Sequence, residues 1–251
     1  LPIAQQAGIV LVSPTVTARK FFGQEDHLFL LMSSTREEAR LSAEFHFKEN
    51  GVRRVTAIHD QRNLAYTESW LREFTSAFQD LGGEVFPIAY ESGQEVSFGS
   101  VVQIALSKQP DAVLMITSAV DAARFAQKVR ERNPRILLIA SQWAATERLV
   151  ELGGESVEGM VLHNYFDRAS TAPGLVKLRD LYVQRFLREP GFSGVAAYDA
   201  TIILLTALAR RPNGETLRET LLTRGPFPGA EGEIAFDCFG DSRRVPHVMV
   251  V

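Results

Sequence analysis

Residues 55–88, VTAIHDQRNLAYTESWLREFTSAFQDLGGEVFPI, decide the fold class of this chain. Val55–His59 is a short apolar run that predicts a buried strand, and Glu84–Ile88 predicts a second one. Between them, apolar residues recur at helical spacing over Tyr66–Leu81, and Gly82-Gly83 ends the helix. The apolar face of this helix consists of Trp70, Phe74, Ala77, Phe78 and Leu81. This order predicts two parallel strands joined by a helical crossover.

The same alternation extends in both directions from this unit. On the N-terminal side, Gly8–Val12 predicts a strand and Arg36–Glu49 predicts a helix that stops at Asn50-Gly51. On the C-terminal side, the predicted elements are helix Phe98–Ser107, strand Ala112–Ile116, helix Val120–Glu131, strand Ile136–Ala140, helix Thr146–Leu152 and strand Gly159–His163. Because these apolar strands lack a period of two, we expect an α/β fold whose parallel sheet is covered by helices on both faces.

The pattern changes after Asp167. The predicted elements there are helices Pro173–Leu187, Val195–Ala209 and Thr216–Leu222, then strands Glu233–Phe236 and Pro246–Val251. The central part of the sequence is rich in strand–helix units, whereas its two terminal parts are built differently. This arrangement predicts that the chain leaves one lobe, builds a second and returns. The first lobe contains few strands and Val251 stands inside an apolar run, so we expect the sequence to be a fragment cut at both ends.

Composition excludes several classes of protein. The chain has 251 residues, 45% hydrophobic and 23% charged, which is typical of a globular protein. Its net charge of -3 and its scattered basic residues argue against a nucleic-acid partner. The most apolar stretch, Ala200–Leu208, is too short to span a bilayer, and the start does not resemble an intact secretory leader. The single cysteine, Cys238, excludes an internal disulfide and a multi-cysteine metal site.

Motifs of the common enzyme classes are absent. The sequence contains no phosphate-binding P-loop, no dinucleotide fingerprint, no H-E-x-x-H zinc motif and no G-x-S-x-G nucleophile elbow. No two histidines stand at metal-ligand spacing, so we expect neither a metal nor another cofactor. His59-Asp60 is the best candidate for an acid/base pair. A polar strand end is the favoured interpretation of this pair, because a general base needs a positioned nucleophile and none is evident.

Polar and aromatic residues follow four of the predicted strands. The loops concerned are Ser13–Thr17, Asp60–Tyr66, Thr117–Ala119 and Ser141–Trp143. In parallel α/β sheets, ligands collect at the carboxyl ends of the strands, where helix amino termini and free N–H groups point. Hydroxyls, an amide and two aromatic rings suit a small polar ligand. Helix capping alone would also explain each Ser or Thr, but four such loops together favour a binding site.

These loops and several other stretches resemble one known family. The matching segments are PIAQQAGIVLVSPTVT at 2–17, GVRRVTAIHD at 51–60, AYTESW at 65–70, GGESVEG at 153–159, AYDA at 197–200 and GEIAFDCFGD at 232–241. The sequence is similar to type I periplasmic binding proteins, in the branch typified by the leucine/isoleucine/valine-binding proteins of ABC transporters. The resemblance implies a two-lobe α/β fold with parallel sheets flanked by helices, and a first lobe that lacks its opening strand–helix units.

The resemblance also implies boundaries. Residues 1–35 and 164–240 would form lobe one, and residues 36–163 and 241–251 would form lobe two. Ligand would be held in a cleft between the lobes, and closure would use crossings near Ser33-Ser34, Tyr165-Phe166 and Asp237–Asp241 as a hinge.

Ligand-binding residues are implied by position within the family pattern. Thr17 matches a threonine that binds the ligand carboxylate, with the backbone around Thr15 beside it, and Ser13 belongs to the same binding loop. Tyr66 matches the aromatic residue that closes over the ligand. Ser118 or Ala119 stands where the type member has a tyrosine, and Gln142, followed by Trp143, stands where it has the glutamate that pairs with an ammonium.

An amide is a poor partner for a buried ammonium. We therefore expect a carboxylate-bearing ligand other than an ordinary branched-chain amino acid, and Tyr66 and Trp143 would admit an aromatic one. For Trp143, packing within the lobe is an equally good interpretation. Asp121 could supply a negative charge to the ligand site. Its place in the first turn of a helix is explained equally well by the helix dipole.

The implied function is a periplasmic or extracellular bacterial receptor, free or membrane-anchored, that delivers its ligand to the permease of an ABC importer. A sensory domain fused to a signalling module has the same fold and is the main alternative. Two further alternatives remain. One is an enzyme that uses His59 and Asp60, and the other is an interaction domain whose cleft is filled by its own side chains.

Overall fold

Strands and helices alternate over most of the computed structural model, which describes residues 1–251. The helices are α1 Pro2–Gln6, α2 Thr35–Lys48, α3 Leu64–Asp80, α4 Phe98–Ser107, α5 Ala119–Arg130, α6 Glu147–Gly153, α7 Pro173–Phe186, α8 Phe192–Arg210 and α9 Leu217–Thr223. The strands are β1 Leu11–Ser13, β2 Leu28–Leu30, β3 Arg54–Asp60, β4 Glu84–Tyr90, β5 Ala112–Ile116, β6 Leu137–Ala140, β7 Val161–Asn164, β8 Phe227–Pro228, β9 Glu233–Ile234 and β10 His247–Val250. The chain divides into unit 1, residues 1–34 and 165–246, and unit 2, residues 35–164 and 247–251.

Unit 2 is built on one six-stranded sheet with the order β10-β7-β6-β5-β3-β4. Strands β3 to β7 run parallel, and helices connect most of them, as a parallel sheet requires. β10 joins the far edge antiparallel to β7, with Val248 opposite His163. The α/β fold with a parallel sheet predicted from the sequence is confirmed.

The core of unit 2 contains the apolar face of α3. Trp70, Phe74 and Phe78 are fully buried, and their neighbouring rings stack with centroids 5.3 Å apart. They belong to the same core cluster as Val55 of β3 and Leu114 of β5. Burying one large apolar side chain contributes about 1.5 to 3 kcal/mol, so this helix face is a main source of stability in unit 2.

Unit 1 has little sheet. β1 and β2 pair in parallel, with Leu11 opposite Leu28, and β8 pairs with β9 antiparallel. The core lies between these strands and helices α8 and α9, and it includes Phe29, Ile203 and Phe227. Three short elements, α1, β2 and β8, were not predicted from the sequence.

The predicted strand at 233–236 is also shorter in the structure. Only Glu233–Ile234 forms a strand, and Phe236 makes a single bridge to Ser242.

Helix α8 corrects one expectation drawn from the sequence. The apolar stretch Ala200–Leu208 lies inside a helix of 19 residues with a mean hydropathy of 1.6, which is long and apolar enough to cross a membrane by length and composition alone. One third of that window is buried inside the structure. The buried side carries Asp199 at 0% exposure and packs Ile203 and Ala207 into the core of unit 1. These contacts are those of a core helix, which passes the same test of length and composition.

The last crossing between the units lies later than the sequence suggested. Residues 241–246 were assigned with the second lobe, but the structure places them in unit 1. Three contacts hold them there: Ser242 N–H donates to the Leu30 carbonyl at 2.9 Å, the Asp241 carboxylate accepts from Gly23 N–H at 2.7 Å, and Arg244 pairs with Asp199 at 3.0 Å. The crossing therefore falls between residues 246 and 247 rather than at Asp237–Asp241.

Two of the crossing segments are tied together within unit 1. The Ser33 hydroxyl donates to the Arg244 carbonyl at 2.7 Å and accepts from the Arg244 N–H at 2.8 Å. The Tyr165 hydroxyl, on the third segment, donates to the Ser33 carbonyl at 3.5 Å. The chain segment before the first excursion into unit 2 and both ends of the segment between the two excursions are thus anchored at one point.

Candidate ligand-binding site

The strand order of unit 2 brings three of the predicted loops side by side. β5 pairs with β3 on one side and with β6 on the other. Because all three strands run parallel, the loops that follow them leave the sheet at the same edge. These loops and the first turns of the helices that follow them carry Tyr66, Ser118-Ala119 and Gln142-Trp143.

Tyr66 and Trp143 form a contact pair at this edge. Their ring centroids are 5.9 Å apart with an interplanar angle of 76°, which is an edge-to-face arrangement. The Trp143 backbone N–H donates weakly to the Tyr66 hydroxyl at 3.4 Å. Both residues are only partly buried. Burial, followed by the nearby Glu38 carboxyl, raises the pKa of Tyr66 well above its ordinary value, so the phenol stays neutral.

Gln142 lies at the start of a short 3-10 turn, Gln142–Ala144, directly after β6. Its backbone N–H donates to Oε1 of Glu38 at 2.8 Å. Gln142 is only 3% exposed, and its side-chain Nε2 is buried without a hydrogen-bond partner. A buried amide donor without a partner costs about 1 to 3 kcal/mol, which an oxygen atom of a ligand would offset.

Ser118 serves as the N-cap of α5. Its hydroxyl accepts a hydrogen bond from Asp121 N–H at 3.3 Å, and Ala119 is the first, buried residue of the helix. The capping interpretation considered for the Ser and Thr residues therefore describes Ser118.

Asp121 is engaged by its neighbours. Oδ2 accepts from the Tyr90 hydroxyl at 2.9 Å, and Oδ1 lies 3.8 Å from Arg124. The Tyr90 hydroxyl also makes a short contact with Thr117. Burial raises the pKa of Tyr90 above its ordinary range, so this phenol acts as a hydrogen-bond donor.

Asp60, considered above as part of an acid/base pair, has its carboxylate occupied. It accepts hydrogen bonds from the backbone N–H groups of Arg62 and Ser92, both at 3.0 Å, and from the Ser92 hydroxyl at 2.5 Å. It thereby caps the turn that begins α3 and fixes the end of β4. Burial lowers the pKa of its neighbour His59. This geometry is that of a polar strand end, the interpretation that the sequence favoured.

The predicted residues of unit 1 lie in the loop after β1. The Ser13 hydroxyl accepts from Val16 N–H at 3.2 Å, which closes a tight turn. Thr15 is exposed and Thr17 is 4% exposed. Thr15 and Thr17 thus differ sharply in accessibility although they are two positions apart.

Sequence reasoning missed two residues that organise the unit 2 edge, Glu38 and Tyr90. Glu38 lies on the buried side of α2 with Ala39, Ser42 and His46. An acidic residue at helical spacing from the small residues Ala39 and Ser42 was the available signal. Tyr90 ends β4 as the last residue of an apolar run, and nothing in the sequence marks its hydroxyl as a partner of Asp121.

A family model described as "Periplasmic binding protein" matches residues 1–251. The chain belongs to the periplasmic binding protein family. This result confirms the resemblance inferred from the sequence. No curated protein sequence matches the chain significantly.

Solved structures of periplasmic binding proteins superpose on the whole chain. A leucine-binding protein, LivK, from Thermotoga maritima is 26% identical, with a TM-score of 0.90 over 100% of this chain and 72% of its own. LivJ from Streptococcus pneumoniae, in complex with isoleucine, is 18% identical, with a TM-score of 0.87 over 99% of this chain and 71% of its own.

A solute-binding protein from Rhodopseudomonas palustris, in complex with 3,4-dihydroxybenzoic acid, is 18% identical, with a TM-score of 0.86 over 100% of this chain and 70% of its own. These likenesses confirm the type I periplasmic-binding-protein fold. They also show that the fold carries ligands of different chemistry, an amino acid in one structure and an aromatic acid in another.

Proposed function

We propose that this periplasmic binding protein is the solute receptor of an ABC importer and binds a small carboxylate-bearing molecule without altering it chemically. The observation that carries the proposal is the unit 2 edge, where Tyr66, Gln142 and Trp143 lie beyond the same end of the parallel strands β3 and β6, which flank β5. Two partly exposed aromatic residues, whose rings meet nearly at a right angle, offer apolar contacts, and the buried amide of Gln142 offers donors for a ligand oxygen. This combination suits an aromatic acid as well as an amino acid.

The location and the partner follow from the same proposal. A receptor of this family works outside the cytoplasmic membrane, so its partner is a membrane permease. We place the backbone rearrangement that accompanies binding at the chain crossings 34/35, 164/165 and 246/247, where few residues need to change conformation.

The proposal is tested by identifying what the protein binds. The purified protein is denatured, and mass spectrometry identifies any small molecule that it releases. Calorimetric titration then measures the affinity for leucine, isoleucine and 3,4-dihydroxybenzoate. We expect a released or titrated carboxylate that is recovered unchanged. A bound compound that is converted during incubation, or a released ligand without a carboxylate, would contradict the proposal.

Thr17→Ala is expected to weaken ligand binding by about 1 to 3 kcal/mol, the cost of leaving a buried polar partner unpaired. Calorimetric titration with the carboxylate identified above measures the change. Thr201→Ala is the matched control in unit 1, because Thr201 is exposed on α8 and its hydroxyl only donates to the Ala197 carbonyl of its own helix. Unchanged affinity in Thr17→Ala would remove Thr17 from the site.

A further inference from the structure

A carboxyl group from α2 holds the loop that carries the candidate ligand residues. Glu38 is fully buried, and its Oε1 accepts the backbone N–H of Gln142 at 2.8 Å. The next backbone N–H, that of Trp143, points to the Tyr66 hydroxyl at 3.4 Å. Side chains from α2 and α3 therefore restrain two consecutive peptide groups at the start of the Gln142–Ala144 turn.

Both tryptophans of the chain are linked to this carboxyl group, Trp70 directly and Trp143 through the neighbouring residue Gln142. Trp143 follows the residue that Glu38 binds, and the indole of Trp70 on α3 lies near enough to favour the ionised carboxyl. The Glu38 Oε2 atom and the Trp70 Nε1 atom are both buried, and neither has a well-aligned hydrogen bond. Glu38, Tyr66, Trp70 and the Gln142 peptide thus form one buried polar cluster behind the unit 2 edge.

We propose that Glu38 is a positioning residue of the ligand site: its carboxyl group sets the conformation of the Ser141–Trp143 loop, and its ionisation tunes the affinity for ligand. The part that concerns ligand rests on the proposed function. Glu38 itself is fully buried and presents no surface to a ligand. It acts through the peptide of Gln142 and through the position of the Trp143 ring.

Ionisation of this group falls in the physiological range. Burial raises the pKa of Glu38 to about 7, while the Gln142 N–H and then the Trp70 indole oppose the rise. The groups that face it are Tyr66 and Trp70 from α3 and the Gln142 peptide from the end of β6. An ionised carboxylate accepts a stronger hydrogen bond than a neutral carboxyl, so the loop is held more firmly as the pH rises through 7.

A fluorescence titration of the protein without ligand tests the positioning role. Because Trp70 lies beside Glu38 and Trp143 follows the residue that Glu38 binds, we expect the emission of the wild-type protein to change between pH 6 and 8, with a midpoint close to the pKa of about 7. Glu38→Gln keeps an acceptor for the Gln142 N–H but cannot ionise, so it should lose this transition. Glu37→Gln, on the exposed side of the same helix, is the matched control and should keep it. A transition that persists in Glu38→Gln, or its absence from the wild type, would overturn the proposal.

Affinity measurements test the effect on ligand, with the carboxylate that binds best among leucine, isoleucine and 3,4-dihydroxybenzoate as the probe. We expect the wild-type Kd to decrease from pH 6 to pH 8, and the Kd of Glu38→Gln to stay constant. Glu38→Ala should weaken binding by about tenfold, because the Gln142 N–H loses its acceptor. Equal pH dependence in wild type and Glu38→Gln would contradict the role of ionisation. If no probe binds the wild type, the proposed ligand class fails, and the fluorescence titration still decides whether Glu38 positions the loop.

Discussion

Replacing Asp199 by alanine is expected to lower the free energy of unfolding by about 3 to 5 kcal/mol, the usual cost of breaking a buried ion pair. Asp199 is 0% exposed; its Oδ2 atom pairs with Arg244 at 3.0 Å and its Oδ1 atom accepts from Ala230 N–H at 2.7 Å. Alanine would leave the guanidinium of Arg244 and the Ala230 N–H without this acceptor. The loss would also free the segment that carries residues 241–246, which this pair ties to α8.

Urea unfolding monitored by circular dichroism measures this effect. Asp180→Ala, at an exposed position of α7, is the control and should change the free energy of unfolding by less than about 0.5 kcal/mol. Burial raises the pKa of Asp199 although Arg244 opposes the rise, which indicates that desolvation consumes much of the attraction. The double variant Asp199→Ala/Arg244→Ala should therefore lose less stability than the sum of the two single variants. A single Asp199→Ala variant as stable as Asp180→Ala would contradict this account.

Acidification is expected to destabilise unit 2 through two buried histidines. Burial lowers the pKa of His46 to about 3 and that of His163 to about 4, and their rings lie 6.5 Å apart. Both are neutral at pH 7 in the folded protein, whereas the unfolded chain binds protons near pH 6.5. The stability that depends on these neutral histidines is therefore fully present above pH 6.5 and is lost as the pH falls toward their folded-state pKa values of about 4 and 3. With about 1.4 kcal/mol per unit of pKa, the loss from His46 alone is on the order of 3 to 5 kcal/mol.

Glu38 changes the shape of this pH dependence. The pKa of Glu38 is raised in the folded protein. Its contribution to the free energy of unfolding is therefore fully present below pH 4.5 and is lost as the pH rises through about 7. Between pH 4.5 and 6.5 the two effects oppose each other. Below pH 4.5 only the histidine effect remains, and the decrease in stability should become steepest there.

The measurement is urea unfolding of wild type and His46→Gln at pH 7, 5 and 4. We expect His46→Gln to lose less stability than wild type between pH 7 and 4, because it has no ring to protonate. His247→Gln is the control, since His247 is exposed on β10, and it should follow the wild type. Parallel pH profiles for wild type and His46→Gln would exclude His46 as a cause of acid unfolding.

The sequence was most informative where elements are long and bury a regular pattern. Helix α4 and strand β5 have the predicted bounds, Phe98–Ser107 and Ala112–Ile116, because their apolar residues follow one period between clear stop signals. β2, with three residues, is too short to show a period. The last crossing was misplaced because residues 241–246 are held by Leu30, Gly23 and Asp199, which are distant in sequence.

For the candidate site, too, the order of elements was predictable and the long-range contacts were not. Parallel strands end at one edge, so the positions of Tyr66, Ser118 and Gln142 followed from the order of elements. The link between Glu38 and Gln142 joins residues 104 positions apart and depends on how α2 packs against the end of β6. No local pattern encodes such a contact, and the role of a polar residue on a buried helix face appears only when its partner is known.

The position of β10 has a consequence for how the chain is made. The ribosome synthesises β3 to β7 of unit 2 in one continuous stretch, then all of residues 165–246, and only afterwards the strand that pairs with β7. During that interval, the outer side of β7 presents unpaired backbone groups, which in a nascent chain invite pairing with another molecule. Unit 2 therefore reaches its full set of strands only after the return segment of unit 1 has left the ribosome.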